Sequence, residues 1–160
     1  MRNRLIGWLE KVLAFLMALL VIDVMWQVIT RFLMNNPSSF TDELARFLLI
    51  WLGLLGAALV SGHKMHLAID LISGRFRDFR SQNRLAIFIE LVVMLSALSI
   101  MVVGGSILVY TIWSLGQTST ALQIPLSVVY SMIPMSGLLI TYFALEDIIS
   151  RTRKNNVNGD

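Results

Sequence analysis

Four apolar segments dominate the sequence, and each is long enough to cross a lipid bilayer as an α-helix. They cover approximately residues 5–33, 44–61, 85–115 and 128–149. About 20 apolar residues, rising about 1.5 Å each, cross a hydrocarbon core about 30 Å thick. Of the 160 residues, 56% are hydrophobic and 14% are charged, against about 25% charged in soluble domains. The sequence therefore predicts an all-α membrane protein with four transmembrane helices in a single domain over residues 1–160, with a polar tail at 150–160.

Lysine and arginine are distributed unevenly between the two sides of such a bundle. Four spans place both termini on one side, which would carry eleven basic residues: Arg2, Arg4, Lys11, Lys64, Arg75, Arg77, Arg80, Arg84, Arg151, Arg153 and Lys154. The opposite side would carry only Arg31 and Arg46. Cytoplasmic loops of membrane proteins are enriched in Lys and Arg, so both termini are predicted to be cytoplasmic.

The predicted cytoplasmic loop contains the stretch GRFRDFR at residues 74–80, in which two phenylalanines are surrounded by arginines. This pattern predicts a short amphipathic helix that lies in the headgroup region and contacts anionic lipid. A solvated basic loop that only fixes topology is an equally good interpretation.

The same loop offers the strongest metal candidate, because His63, His66 and Asp70 could share one helical face. A zinc site normally needs four ligands, and the sequence supplies no fourth ligand nearby. The absence of cysteine excludes thiolate sites and cysteine nucleophiles. No phosphate-binding loop, serine triad or HExxH motif is present either. We therefore predict no metal, no cofactor and no enzymatic activity.

Charged and amide side chains also lie inside the predicted spans, where each charge costs about 2.5–3.5 kcal/mol at a helix centre. These predicted buried polar residues are Asp23, Gln27, Arg31 and Glu90. They are either structural partners that hold helices or subunits together, or members of a proton or sodium pathway. The structural interpretation is preferred, because one carboxylate in each half does not build a relay.

Small residues recur along the second span at Gly53, Ala57 and Ser61, with the spacing i, i+4, i+8. Such a face lets another helix approach closely. It serves equally well for packing inside the bundle and for docking a partner.

Two motifs resemble the small membrane subunit of tripartite ATP-independent periplasmic (TRAP) transporters, the DctQ-like component. The first is DELARFLLIWLGLLGAALVSGHKMHLAIDLI, in which the residues that match are Asp42, Glu43, Arg46, Trp51, Gly56, Ala57, His66 and Asp70. The second is STALQIPLSVVYSMIPMSG, in which they are Ala121, Leu122, Ile124, Pro125, Tyr130, Ile133 and Pro134. Gln123 departs from the pattern, which has glycine more often at this position.

The resemblance implies a three-part importer in the bacterial inner membrane. A periplasmic binding protein would deliver a carboxylated organic solute of the sialic acid or C4-dicarboxylate type. A large multi-span subunit would move the solute by sodium symport and an elevator mechanism, and this chain would be its fixed, non-catalytic scaffold. The alternative is an independent small transporter or channel that works as a homo-oligomer and uses Asp23 and Glu90 for ion coupling.

The charged cluster before the second span has two compatible interpretations. Thr41 is a plausible N-cap, acidic residues favour a helix N-terminus, and Arg46 can pair with an acidic residue one turn earlier. The functional interpretation adds contacts from Asp42, Glu43 and Arg46 to the large subunit or to the binding protein.

Overall fold

The computed structural model describes residues 2–32, 39–63 and 79–157. Its helical elements are α1 (Arg2–Phe32), α2 (Ser39–Gly62), α3 (Phe79–Ser96), a π-helical segment (Ala97–Gly104), α4 (Gly105–Ser114), α5 (Leu126–Tyr130) and α6 (Met132–Val157). Four helical stretches are long and apolar enough to cross a membrane: Arg2–Phe32, Ser39–Gly62, Leu85–Ser114 and Leu126–Thr152. The all-α class and the four potential spans are thus confirmed. Most of the predicted interfacial helix lies outside the described residues.

The bundle has two ends, which we name by what they carry. The terminal end holds the start of α1, the end of α2 and the C-terminal part of α6. The loop end holds the start of α2 and the segment of residues 115–125 between α4 and α5, which we call the outer loop.

Helices α2 and α6 form the centre of the bundle. Helix α1 packs along α2, while α6 packs against α2, α3 and the π-helical segment. The main buried cluster contains Leu9, Leu16, Leu48, Leu55 and Phe143, and a second cluster contains Ala58, Ala97 and Ile140. Many large apolar side chains remain exposed on the outside, as a surface that faces lipid requires.

Two glycines allow the third and fourth spans to approach closely. A Cβ atom added to Gly137 would lie 2.6 Å from Cβ of Met101, and one added to Gly105 would lie 2.8 Å from Cγ2 of Ile133. Met101 lies within the π-helical segment, where an α-helix of uniform pitch is expected from the sequence. The wider turns of this segment therefore lie at the contact between Met101 and Gly137 of α6.

The fourth span is interrupted between α5 and α6 at Ser131. Pro134 explains the interruption, because proline has no backbone N–H and its ring displaces the carbonyl four residues earlier. Next to it, the N–H of Met135 makes only a long hydrogen bond of 3.4 Å to the carbonyl of Ser131.

Candidate functional site

Glu43 joins α2 to the outer loop at the loop end of the bundle. Its Oε2 accepts hydrogen bonds from the backbone N–H groups of Ala121 at 2.8 Å and Leu122 at 3.0 Å. Backbone bonds close the same loop, from Ser119 N–H to the Ile124 carbonyl at 2.9 Å and from Leu126 N–H to the Gln117 carbonyl at 3.0 Å. A single carboxylate oxygen thus holds the tip of a closed loop against α2.

Left-handed backbone at two positions gives the outer loop its shape. Gly116 has φ of 62° and Gln123 has φ of 54°. Gln123 therefore adopts the conformation that glycine takes most easily, at the position where the resemblance led us to expect glycine more often. Its Nε2 donates to the carbonyl of Thr120 at 3.1 Å, a local bond that stabilises this turn.

Trp51 makes a second connection, about two turns deeper in the bundle. Its indole Nε1 donates to the backbone carbonyl of Val129 in α5, at 3.1 Å. Pro125 immediately precedes α5 and has φ of −58°. Tyr130 is the last residue of α5 and is half-buried. Residues from both sequence motifs, 78 positions apart, therefore meet at the interface of α2, the outer loop and α5.

Asp42 has different partners from its neighbour Glu43. Its Oδ2 accepts from Arg46 Nη2 at 2.7 Å, and its Oδ1 lies 3.4 Å from Gln27 Nε2 on α1. The pair of Asp42 with Arg46 is exposed and has the predicted spacing of four residues. Thr41 is not the N-cap, because α2 already begins at Ser39 and Thr41 is buried inside its first turn.

The predicted polar stripe on α1 is only partly buried. Asp23 is 6% exposed, and its Oδ2 has no hydrogen-bond partner in the described part of the chain. Gln27 is half-buried, but Arg31 is exposed, with its guanidinium 5.9 Å from the ring centre of Phe32. Arg31 lies off the buried face of α1 in this chain alone, because each step of four residues turns the stripe by about 40° around the helix. Its burial against a partner stays a prediction.

The most buried ion pair in the described part of the chain lies at the terminal end, and the sequence did not predict it. Arg2 donates from Nη2 to Oδ2 of Asp147 at 3.0 Å, from Nη1 to the other carboxylate oxygen, and from Nε and Nη2 to the Gly62 carbonyl at 3.1 and 2.8 Å. Its guanidinium also lies 5.8 Å from the ring centre of Phe143. Arg2 thereby joins α1, α2 and α6 and caps the end of α2.

Glu90 belongs to the same end of the bundle. It is 4% exposed, and its charged neighbours are Asp147, Arg151 and Arg2. In the sequence, this cluster could have been recognised from Asp147, a charged residue near the C-terminal end of the fourth apolar segment.

The metal candidate is not assembled in the described residues. His63 Nε2 lies 2.9 Å from Oε1 of Glu10, and both side chains are half exposed. His66 and Asp70 lie outside the described residues. Within residues 2–32, 39–63 and 79–157, no group of three His, Cys, Asp or Glu side chains is placed to hold a metal ion.

The small-residue face of α2 is open along most of its length. Added Cβ atoms at Gly53 and Gly56 would meet nothing within 4 Å, and Ala57 is exposed. Gly62, by contrast, packs against the Phe143 ring, which would lie 3.0 Å from an added Cβ. The described part of the bundle therefore makes no close contact at the Gly53 end of this face.

The four long apolar helical stretches define a multi-pass helical membrane protein, in which Arg2, Glu43 and Trp51 join helices to one another and to the outer loop. Residues 20–154 match the family model for tripartite ATP-independent periplasmic transporters, DctQ component. The chain therefore belongs to the DctQ family, the small permease components of TRAP transporters.

Individual relatives agree with this assignment. The chain is 31% identical over 105 residues to the sialic acid TRAP transporter small permease protein SiaQ of Vibrio cholerae, covering 65% of this chain and 60% of that protein. It is 24% identical to a putative TRAP transporter small permease protein of Haemophilus influenzae, covering 89% and 86%. It is also 24% identical to the isethionate TRAP transporter permease protein DctMQ of Oleidesulfovibrio alaskensis, covering 95% of this chain and 25% of that protein.

Proposed function

We propose that this chain is the non-transporting scaffold subunit of a sodium-coupled importer, held against a large membrane subunit that carries the substrate and sodium sites. A periplasmic binding protein delivers the solute to this pair. The observation that carries the proposal is the open face of α2 at Gly53, Gly56 and Ala57. Small residues on a membrane helix favour close approach of a second helix, and the described part of the bundle makes no close contact at Gly53 or Gly56.

The relative from Oleidesulfovibrio alaskensis supports a large partner. This chain corresponds to a quarter of that permease protein. The other three quarters would provide the multi-span transport subunit, and the same contact would form between separate chains here.

The solute is an organic anion in this proposal. The names of two relatives mention sialic acid, a carboxylate, and isethionate, a sulfonate. A carboxylated solute of the sialic acid or C4-dicarboxylate type remains the prediction for this chain.

The alternative of an independent ion-coupled channel gains no support from the described residues. Glu90 belongs to the Arg2–Asp147 cluster, whereas Asp23 makes no ion pair among the described residues. The two carboxylates therefore do not share a polar network.

Both termini are cytoplasmic in this proposal, with the outer loop in the periplasm, because eleven of the thirteen basic residues belong to the terminal side. A fusion of green fluorescent protein to the C-terminus should fluoresce, and a fusion of alkaline phosphatase there should be inactive. The opposite pattern would overturn the orientation.

The scaffold role is tested by co-purification of the tagged chain from its native operon in mild detergent. A stoichiometric large membrane protein is expected with the natural chain. Gly53→Leu should reduce its recovery about tenfold or more, since a side chain at a close helix contact prevents the approach. Gly7→Leu is the matched control, because an added Cβ at Gly7 also meets nothing within 4 Å but lies on α1. Recovery of the chain alone, or equal effects of the two variants, would overturn the proposal.

A further inference from the structure

Basic and aromatic residues alternate along the terminal end of α1. Arg4, Trp8, Lys11 and Phe15 have the spacing i, i+4, i+7, i+11, which places them within an arc of about 60° on an α-helix. All four side chains are exposed, Trp8 to 62% and Phe15 to 68%. We call these four residues the basic-aromatic stripe.

The two cations of the stripe have no ion-pair partner among the described residues. The ion pairs found there join Arg2 to Asp147, Arg46 to Asp42 and His63 to Glu10. Glu10, the acidic residue next to Lys11 in sequence, is therefore turned towards α2. Since Leu9 and Leu16 fill the buried face of α1, the stripe lies on a different, unpartnered side of the helix.

The order of residues along the stripe matches a phospholipid from headgroup to acyl chain. Arg4 and Lys11 are about 10 Å apart along the helix axis, and a lysine near the end of a membrane helix extends its ammonium to the interface. Trp8 lies between them, and indole rings favour the same level. Phe15 and then Ile22, exposed to 64%, continue the stripe with apolar surface.

We propose that the basic-aromatic stripe binds an anionic phospholipid of the membrane, with its phosphate between Arg4 and Lys11 and an acyl chain along Phe15 and Ile22. Charge complementarity carries this assignment, because two cations without an ion-pair partner among the described residues attract anionic lipid at the membrane surface. The proposal needs the chain to span the membrane but does not depend on its role as a scaffold.

Quenching of tryptophan fluorescence by brominated lipid tests the proposal on the full chain. Trp26 and Trp113 are replaced by Phe, while Trp51 is kept because its indole bonds Val129. The chain is reconstituted in phosphatidylcholine vesicles that contain about 20 mol % of either brominated phosphatidylglycerol or brominated phosphatidylcholine. Quenching by brominated phosphatidylglycerol should be about twofold greater than quenching by brominated phosphatidylcholine. The double variant Arg4→Gln/Lys11→Gln should remove this excess. Arg31→Gln, at the opposite end of the same helix, should leave it unchanged.

Three results would overturn the proposal. They are equal quenching by the two brominated lipids, an excess that persists in the double variant, and loss of the excess when the large subunit is co-reconstituted, which would show that protein covers the stripe. Native mass spectrometry of the unsubstituted chain gives an independent measurement, in which phosphatidylglycerol should be retained in preference to phosphatidylcholine. Added inorganic phosphate should not displace it, since the site is assigned to a lipid.

Discussion

At the scale of single residues, the neighbouring carboxylates Asp42 and Glu43 have separate tasks. Asp42 pairs with Arg46 on the surface, whereas Glu43 accepts two backbone N–H groups of the outer loop. We expect Glu43→Ala to loosen the loop, because the amide of Ala121 loses its acceptor and the amide of Leu122 keeps only Ser119 Oγ, at 3.2 Å. Hydrogen exchange in detergent should be several-fold faster over residues 117–125. Asp42→Ala is the matched control and should leave these exchange rates unchanged. Equal acceleration by both variants would contradict the assignment.

Backbone conformation at Gln123 leads to a second residue-scale prediction. A residue other than glycine in the left-handed region costs about 1 kcal/mol or more. Gln123→Gly should therefore raise the free energy of unfolding by up to about 1 kcal/mol. Loss of the side-chain bond to Thr120 and the greater conformational freedom of glycine in the unfolded chain both reduce this gain. Gly116→Ala should lower it by about 1 kcal/mol, because Gly116 also has positive φ. Thermal unfolding in detergent measures both changes, and destabilisation by Gln123→Gly would contradict this explanation.

The sequence predicted contacts between residues close in the chain better than distant ones. A spacing of four residues on a helix is enough to predict the pair of Asp42 with Arg46. The contact of Glu43 with Ala121 spans 78 positions, and no periodicity within either segment predicts it. The resemblance selected residues in both motifs but did not indicate that they touch. The spacing of Arg31 from Asp23 did not give the position of the buried face of α1, and Arg31 lies off that face in the chain alone.

At the scale of helices, close contact between α6 and the π-helical segment depends on Gly137. We expect Gly137→Ala to lower the free energy of unfolding by about 1–3 kcal/mol, since its Cβ would lie 2.6 Å from Cβ of Met101. Gly56→Ala should change stability by less than about 0.5 kcal/mol in the isolated chain, because its Cβ would meet nothing within 4 Å. Unfolding of the two variants in detergent compares them directly. Equal stability of both would show that the helices shift apart without cost.

Hydropathy predicted the four spans because their length and apolar character follow from the bilayer. It gave no indication of the π-helical segment at Ala97–Gly104, where the sequence is apolar except for Ser99 and has no strong periodicity. Pro134 did indicate an irregularity near the start of the fourth span, since its missing N–H acts locally. The effect of a proline on its own helix could therefore be predicted from the sequence, whereas the pitch of an apolar helix depends on the helix packed against it.

At the scale of the whole molecule, one arginine near the start of the chain connects three helices. Arg2 and Asp147 are 145 positions apart, with side chains only 13% and 8% exposed. From the sequence Arg2 could be interpreted only as a topology signal, because its partner is set by how α1 and α6 pack at the terminal end. The N-terminal residues are therefore part of the bundle's architecture.

Breaking this buried pair should destabilise the entire bundle. We expect Arg2→Met or Asp147→Leu alone to lower the free energy of unfolding by about 3–5 kcal/mol, because each leaves a buried charge without its partner. The double variant should lose less than the sum, with a coupling energy of about 1–3 kcal/mol, since no charge is then stranded. Glu10→Gln, which breaks the half-exposed pair with His63, should cost less than about 1 kcal/mol. Unfolding in detergent measures all four variants. Strictly additive losses would show that Arg2 acts through the Gly62 carbonyl and Phe143 rather than through Asp147.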